Sequence, residues 1–216
     1  HEELDRVVSE LLARRPDIRR LFLVGSCPSE VIKLDLSNAA VRLQGVHENR
    51  LRISAFSGSG IETTFTQGED QCLASMVPDL PTLPEDNQRL MVVGTLADII
   101  EEQFRRHFAQ LGISEVDFFP AARADDLPPV GPGTRVLLAQ PYLSDTVSAL
   151  CKRGAELVSA PYPLGVEGTL AWFQAAAAEW GHSAEAVKDA LAIPMVRAQK
   201  SLARIRESLA GRTIHF

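Results

Sequence analysis

A chain of 216 residues, 45% hydrophobic and 23% charged, can bury the core of one or two globular units and does not have the composition of a disordered polypeptide. Its formal charge of −6 argues against nucleic acid as the main partner, because phosphate binding needs a concentrated basic surface. No apolar run approaches the roughly 18 residues of a membrane span, and the acidic opening His1-Glu2-Glu3, with no hydrophobic stretch after it, is not a signal peptide.

Residues 2–14 place Leu4, Val7, Val8, Leu11 and Leu12 on one face of an amphipathic helix with no capping residue before it. The basic cluster Arg14, Arg15, Arg19 and Arg20 is expected to be a solvated helix end and loop. Next comes Leu21-Phe22-Leu23-Val24-Gly25-Ser26-Cys27-Pro28-Ser29-Glu30-Val31-Ile32-Lys33, which runs an apolar strand into a helix. Leu21–Val24 suits a strand buried on both faces, and Pro28 suits a first helical turn. Cys27 therefore falls at the join, where helix amides favour a thiolate that can act as a metal ligand or nucleophile. A cysteine that merely packs is the alternative.

Further strands are expected at 51–55, 90–94, 115–119, 134–139 and 156–159, and helices at 29–43, 62–76, 97–111, 144–153, 167–180 and 184–209. This alternation predicts parallel α/β architecture. In the helix at 97–111, Leu96, Ile99, Ile100, Phe104, Phe108 and Leu111 recur at helical spacing and Gly112 stops the run, so Phe104 and Phe108 are core residues. Prolines and acids in 77–86 mark a domain boundary. The expected division is 1–82, a first α/β domain carrying Cys27; 83–183, a second; and 184–216, a linking helix and the first strand of a third. Both ends have the character of a fragment, since Thr213-Ile214-His215-Phe216 begins a strand after Gly211 and stops.

Independent enzymatic chemistry is hard to find. The chain has no Walker A motif; Gly58-Ser59-Gly60 has Thr63 where a dinucleotide fingerprint has its third glycine; and histidines 1, 47, 107, 182 and 215 are scattered. No Gly-x-Ser-x-Gly elbow occurs. Three widely spaced cysteines, Cys27, Cys72 and Cys151, do not make a secreted disulfide framework, so a reducing cytoplasm is expected. Without a C-x-x-C pair the chain cannot supply a four-thiolate site alone. Cys72 and Cys151 lie in helical stretches and are expected to be small core residues.

The segment Phe56-Ser57-Gly58-Ser59-Gly60-Ile61-Glu62-Thr63-Thr64-Phe65-Thr66-Gln67-Gly68-Glu69-Asp70 is more particular than scaffold requires. Two glycines let backbone amides approach a bound group, and Ile61 and Phe65, four apart, are expected on one apolar helix face. Glu62, Thr63, Thr64 and Gln67 could meet substrate carboxylates or metal-bound water, or could cap the helix.

With Gly25-Ser26-Cys27-Pro28, Val93-Gly94-Thr95-Leu96-Ala97-Asp98 and Val130-Gly131-Pro132-Gly133-Thr134, this segment resembles the N subunits of light-independent (dark-operative) protochlorophyllide reductases, relatives of nitrogenase component 1. The resemblance covers the whole chain but only the middle of such a subunit. It implies Rossmann-like three-layer αβα domains with parallel sheets. It further implies that Cys27 is one of three cysteines given to a 4Fe–4S cluster whose fourth ligand is an aspartate of a B-type subunit, with the other ligands outside this sequence. Carboxylate ligation would make such a cluster a strong electron donor.

The activity implied is reduction of the C17=C18 bond in the D ring of protochlorophyllide to chlorophyllide, in (bacterio)chlorophyll biosynthesis. An L-type ATPase iron–sulfur subunit would use ATP and Mg to pass electrons from ferredoxin, and a heterotetramer with the B-type subunit would hold the substrate. Protons would come from the B-type subunit and from a substrate propionate. Where related nitrogenases line their metallocofactor cavity with polar residues, this sequence holds Ile61 and Phe65, which suit a flat tetrapyrrole. Ser59, Gly60, Ile61, Glu62, Thr63 and Phe65 are the implied substrate contacts, and no residue is assigned a catalytic role. The location implied is the cytoplasm of a bacterial phototroph, or the plastid stroma of a eukaryote. The part in hand is expected to be inactive and to hold no stable cluster alone. The alternatives are another nitrogenase-like oxidoreductase subunit, a non-catalytic metallocluster-assembly scaffold, or, in a different class, a small-anion-binding α/β module.

Overall fold

A computed structural model describes residues 2–47, 51–57, 63–84, 87–123 and 126–213. In chain order the elements are α1 (Glu2–Arg14), β1 (Arg20–Gly25), α2 (Cys27–Val31), α3 (Leu36–Val46), β2 (Arg52–Ser57), α4 (Phe65–Met76), a 3-10 turn (Val77–Asp79), β3 (Arg89–Val93), α5 (Asp98–Gln110), β4 (Val116–Phe119), β5 (Thr134–Leu138), α6 (Ser144–Lys152), β6 (Glu156–Leu157), α7 (Gly165–Ala178), α8 (Ala184–Ala190) and α9 (Ala192–Leu209). The fold is α/β, and every strand pair is parallel. The chain forms two compact units that are not contiguous in sequence: residues 1–81, 121–129 and 142–153 make the first, and 82–120, 130–141 and 154–216 the second. The stretch 142–153, containing α6, thus belongs to the first unit although it lies between two strands of the second.

In the first unit β1 pairs with β2, register Leu21↔Ile53 to Gly25↔Ser57. Val8 and Leu12 of α1, Ala39, Ala40 and Leu43 of α3, and Leu23 and Ile53 of the strands form one apolar core. Leu21–Val24 departs from the expectation of a strand buried on both faces. Leu23 is buried, whereas Phe22 and Val24 are exposed, Val24 to 64%. The period-2 alternation of a strand sends alternate residues to opposite faces, and only one face of this pair meets the α1–α3 core. On the other face Phe22 and Phe56 pack with ring centroids 5.4 Å apart. Arg20 is also not the solvated residue expected of the basic cluster: its side chain is 10% exposed and pairs with Asp79, which Arg52 also contacts at 2.6 Å. Asp79 thereby ties the first residues of both strands to the 3-10 turn.

Two expected helices are each divided. The helix expected at 29–43 is α2 and α3, separated because Lys33 adopts φ +52° and Asp35 then caps α3 by accepting from Asn38 N at 2.9 Å. The helix expected at 184–209 is α8 and α9, broken at Leu191. Pro194 has no N–H to give the carbonyl four residues before it, so a continuous helix would lose a bond there.

The second unit has a four-stranded sheet in the order β4-β3-β5-β6. Leu90 to Val93 of the central β3 are 0% exposed, the burial expected of an inner parallel strand. One face of the sheet packs against α5 and α7, where Phe104, Phe108, Trp172 and Phe173 form a continuous ring cluster with centroid separations of 4.7 to 5.6 Å. Trp172 Nε1 donates to Leu138 O at 2.7 Å, which satisfies the one polar atom of that ring. Helix α5 ends at Gln110, and Gly112, φ +76°, closes the turn beyond it, with Ile113 N donating to Phe108 O and Gly112 N to Ala109 O, the C-terminal turn that glycine permits. Ile99, expected on its core face, is 67% exposed, although Leu96 before it and Phe104 after it pack against the cluster.

Trp172 is 0% exposed, so Trp172→Ala should destabilise the protein by about 3–5 kcal/mol, and Trp172→Phe, which keeps most of the packing, by about 1–2 kcal/mol. Urea unfolding followed by circular dichroism measures both. Equal midpoints for wild type and Trp172→Ala would remove this cluster from the account of stability.

Candidate functional site

Both strands of the first unit stop at the same level, since Gly25 is in register with Ser57. In parallel α/β units, ligands bind beyond this C-terminal edge. Cys27 follows β1 there as the first residue of the one-turn helix α2, and its thiol is exposed. The turn presenting it is fixed locally: Ser26 N donates to Ser29 Oγ at 2.6 Å, Ser29 Oγ donates to Ser26 O at 2.7 Å, and Leu34 N closes back on Ser29 O at 2.8 Å. Cys27 is therefore held outward and does not pack. Among the described residues no three His, Cys, Asp or Glu gather as a metal-binding group. The chemistry of the position fits a single thiolate ligand in a site completed by groups from elsewhere.

The other two cysteines differ from one another. Cys151, expected to be a core residue, is exposed on α6. Cys72 is half-buried in α4, where burial pushes its thiol pKa up, the nearby Arg20 charge opposes that, and Glu69 reinforces it.

Beyond β2 the chain enters the segment that the sequence singled out. Ser59, Gly60, Ile61 and Glu62 lie outside the described residues. Thr63 is half-buried. Helix α4 begins at Phe65 rather than at 62, because Thr64 is its cap: Gln67 N donates to Thr64 Oγ1 at 3.3 Å, and Thr64 N donates to Gln67 Oε1 at 2.9 Å. This reciprocal capping box assigns a capping role to Thr64 and Gln67. Phe65 is the first residue of α4, and its expected pairing with Ile61 on one helix face falls on a residue outside the described ones. Phe65 does not pack beneath α4; it is 85% exposed.

One turn further along α4 stands a residue that sequence reasoning did not select. Asp70 is 4% exposed, and its carboxylate accepts four hydrogen bonds from the start of α6. Its Oδ1 takes Thr146 N at 2.8 Å and Thr146 Oγ1 at 2.6 Å; its Oδ2 takes Asp145 N at 2.8 Å and Ser144 Oγ at 3.4 Å. The residue at the cap position of α6, Leu143, has no side chain able to do this. Asp70 supplies the cap from 75 residues away. Beside it lies a recess of about 400 Å³, lined by Thr64, Thr66, Gln67 and Gln71 of α4 and by Tyr142, Ser144 and Asp145 of the α6 segment. Only one clue in the sequence pointed here: an acid on a helix face otherwise meant for burial.

Two outcomes follow from this geometry. At pH 8 a disulfide reagent should label Cys27 and Cys151 quickly and Cys72 roughly tenfold more slowly, because a raised pKa leaves less of the reactive thiolate and burial blocks access; time-resolved mass spectrometry reads the order, and equally fast labelling of Cys72 would contradict its placement. Asp70→Ala should lower stability by about 2–4 kcal/mol, leaving buried α6 amides without a partner; an unchanged denaturant midpoint would show that water replaces the carboxylate.

A family profile for nitrogenase component 1 type oxidoreductases matches residues 1–215. The chain is 59% identical over 216 residues to light-independent protochlorophyllide reductase subunit N of Halorhodospira halophila, 58% identical over 214 residues to that of Rubrivivax gelatinosus, and 55% identical over 216 residues to that of Rhodopseudomonas palustris. These alignments take in 99–100% of this chain and 50–51% of each relative, so the chain spans about half the length of the curated relatives it matches. With a parallel α/β fold and a profile match over essentially its whole length, the chain belongs to the nitrogenase component 1 type oxidoreductase family.

Proposed function

We propose that this chain performs the part of the corresponding half of subunit N in a light-independent protochlorophyllide reductase, reducing the C17=C18 double bond of protochlorophyllide to give chlorophyllide. Identity above half to relatives carrying that name, along the whole chain, supports the reading. The observation that carries it in the structure is the position of Cys27: an exposed thiol on a pinned turn, at the edge where β2 exits toward Phe65.

In this reading Cys27 is one ligand of a 4Fe–4S cluster whose other ligands come from sequence outside this chain and from a B-type partner. The bound cluster supplies electrons to the substrate. The chain's own residues hold and orient: Cys27 anchors at the strand edge, and Phe65 presents an apolar ring to a flat macrocycle. Ser59, Gly60, Ile61, Glu62 and Thr63 complete that contact. ATP with Mg is used by an L-type partner that relays electrons from ferredoxin, since this sequence holds no Walker A motif. No described helix is long and apolar enough to cross a membrane, in keeping with work in the cytoplasm of a bacterial phototroph.

The test uses the full-length subunit assembled anaerobically with its B-type and L-type partners, given ATP and reductant in the dark. Wild type should convert protochlorophyllide to chlorophyllide, and Cys27→Ala should lose both turnover and the cluster's electron paramagnetic resonance signal. A Cys27→Ala complex matching wild type would make Cys27 a bystander. An intact cluster with no turnover in wild type would favour a sister enzyme or an assembly scaffold.

A further inference from the structure

The recess beside Asp70 joins two parts of the first unit that are far apart in sequence, and the proposed function uses only one of them. Thr64 and Thr66 line it on α4, and Phe65, the exposed ring between them, is already a proposed substrate contact. Across the recess stand Tyr142, Ser144 and Asp145. Tyr142 is 70% exposed and adopts φ +66°, a backbone conformation that favours glycine. The residues after it cannot relax to relieve this: Leu143 is 2% exposed, and the amides of Asp145 and Thr146 are bonded to Asp70. A pinned segment therefore presents a large aromatic side chain at the mouth of a cleft whose volume falls within the range of small-molecule sites.

The lining also narrows the ligand chemistry. The Asp70 carboxylate is turned to the α6 amides, and the exposed carboxylate of Asp145 disfavours an anionic ligand. What remains is an aromatic ring with the side-chain amide of Gln71, which can donate to a neutral carbonyl oxygen, beside the hydroxyls of Ser144 and Thr66, which are engaged with Asp70 and Thr64. We infer that this recess is a second contact surface for the tetrapyrrole, in which Tyr142 stacks on the macrocycle and the polar lining receives a ring carbonyl or ester rather than a free propionate. The inference rests on the protochlorophyllide reading and extends it to a segment that the sequence motifs do not include.

The experiment measures protochlorophyllide affinity, by its absorbance and fluorescence, in the assembled complex of full-length chain and partners without ATP. Tyr142→Gly is the decisive variant, because glycine accepts φ +66° without strain and removes only the ring. It should weaken binding about tenfold while leaving the cluster signal and melting temperature at wild-type values, and Tyr142→Phe should stay within about threefold. Wild-type affinity in Tyr142→Gly overturns the second contact and leaves the functional reading standing. Failure of the wild-type complex to bind protochlorophyllide overturns both. If Tyr142→Gly does not assemble, Gln71→Ala at an exposed helix position carries the test, with about threefold weaker binding expected and unchanged affinity overturning the inference.

Discussion

The first unit depends on one desolvated carboxylate. Asp70 is almost wholly buried and accepts two backbone amides and two hydroxyls from the beginning of α6. An unpaired carboxylate at that depth would be strongly destabilising, whereas one that accepts four hydrogen bonds and faces the positive end of a nine-residue helix is well satisfied. Because α6 enters this unit from between two strands of the other, no chain continuity aligns it with α4. The carboxylate does so, fixing Ser144 and Thr146 and, through them, the backbone that carries Tyr142.

The second constraint is the common end of β1 and β2. Parallel strands in register finish together, so whatever follows each of them is brought to one edge regardless of sequence distance. Here that places the cysteine turn at the same edge as the end of β2, after which the sequence continues to α4. Each is then tightened by short-range hydroxyl chemistry: Ser29 closes the turn around Cys27, and Thr64 with Gln67 closes the start of α4. A serine and a threonine that a motif scan would class as polar loop residues are what give the site its shape.

Much of this was legible in the sequence, and the exceptions share a cause. The six strands, and helices such as α1 and α5, follow from period-2 and period-3.6 patterning, which local side-chain order sets. The divided helices were missed because Lys33 in a left-handed conformation carries no compositional signal, although Asp35 and Pro194 could have marked the breaks. Burial of Arg20 and exposure of Phe22 and Val24 depend on which face of β1 is covered, a property of packing that lies beyond the strand's own residues. The position of Cys27 at a strand–helix join was legible in the sequence; the placements of Tyr142 and Asp70 were not, because they arise only when α6 is brought to α4. Sequence distance, more than residue type, decided which parts of the site could be foreseen.

The arrangement separates stability from contact. Cys27, Phe65 and Tyr142 are exposed, whereas Leu23, Asp70 and Leu143, which hold their segments in place, are buried. Exposed aromatic rings gain little from the fold and lose apolar hydration only when something covers them. A flat apolar substrate would recover that free energy without any rearrangement of the buried layer, so binding can be strong while the folded unit stays rigid. Asp70 follows the same division: although it borders the recess, its carboxylate is committed to the amides and hydroxyls at the start of α6. Under the proposed function the described part of the chain contributes geometry, presenting the Cys27 sulfur and two aromatic faces on buried supports.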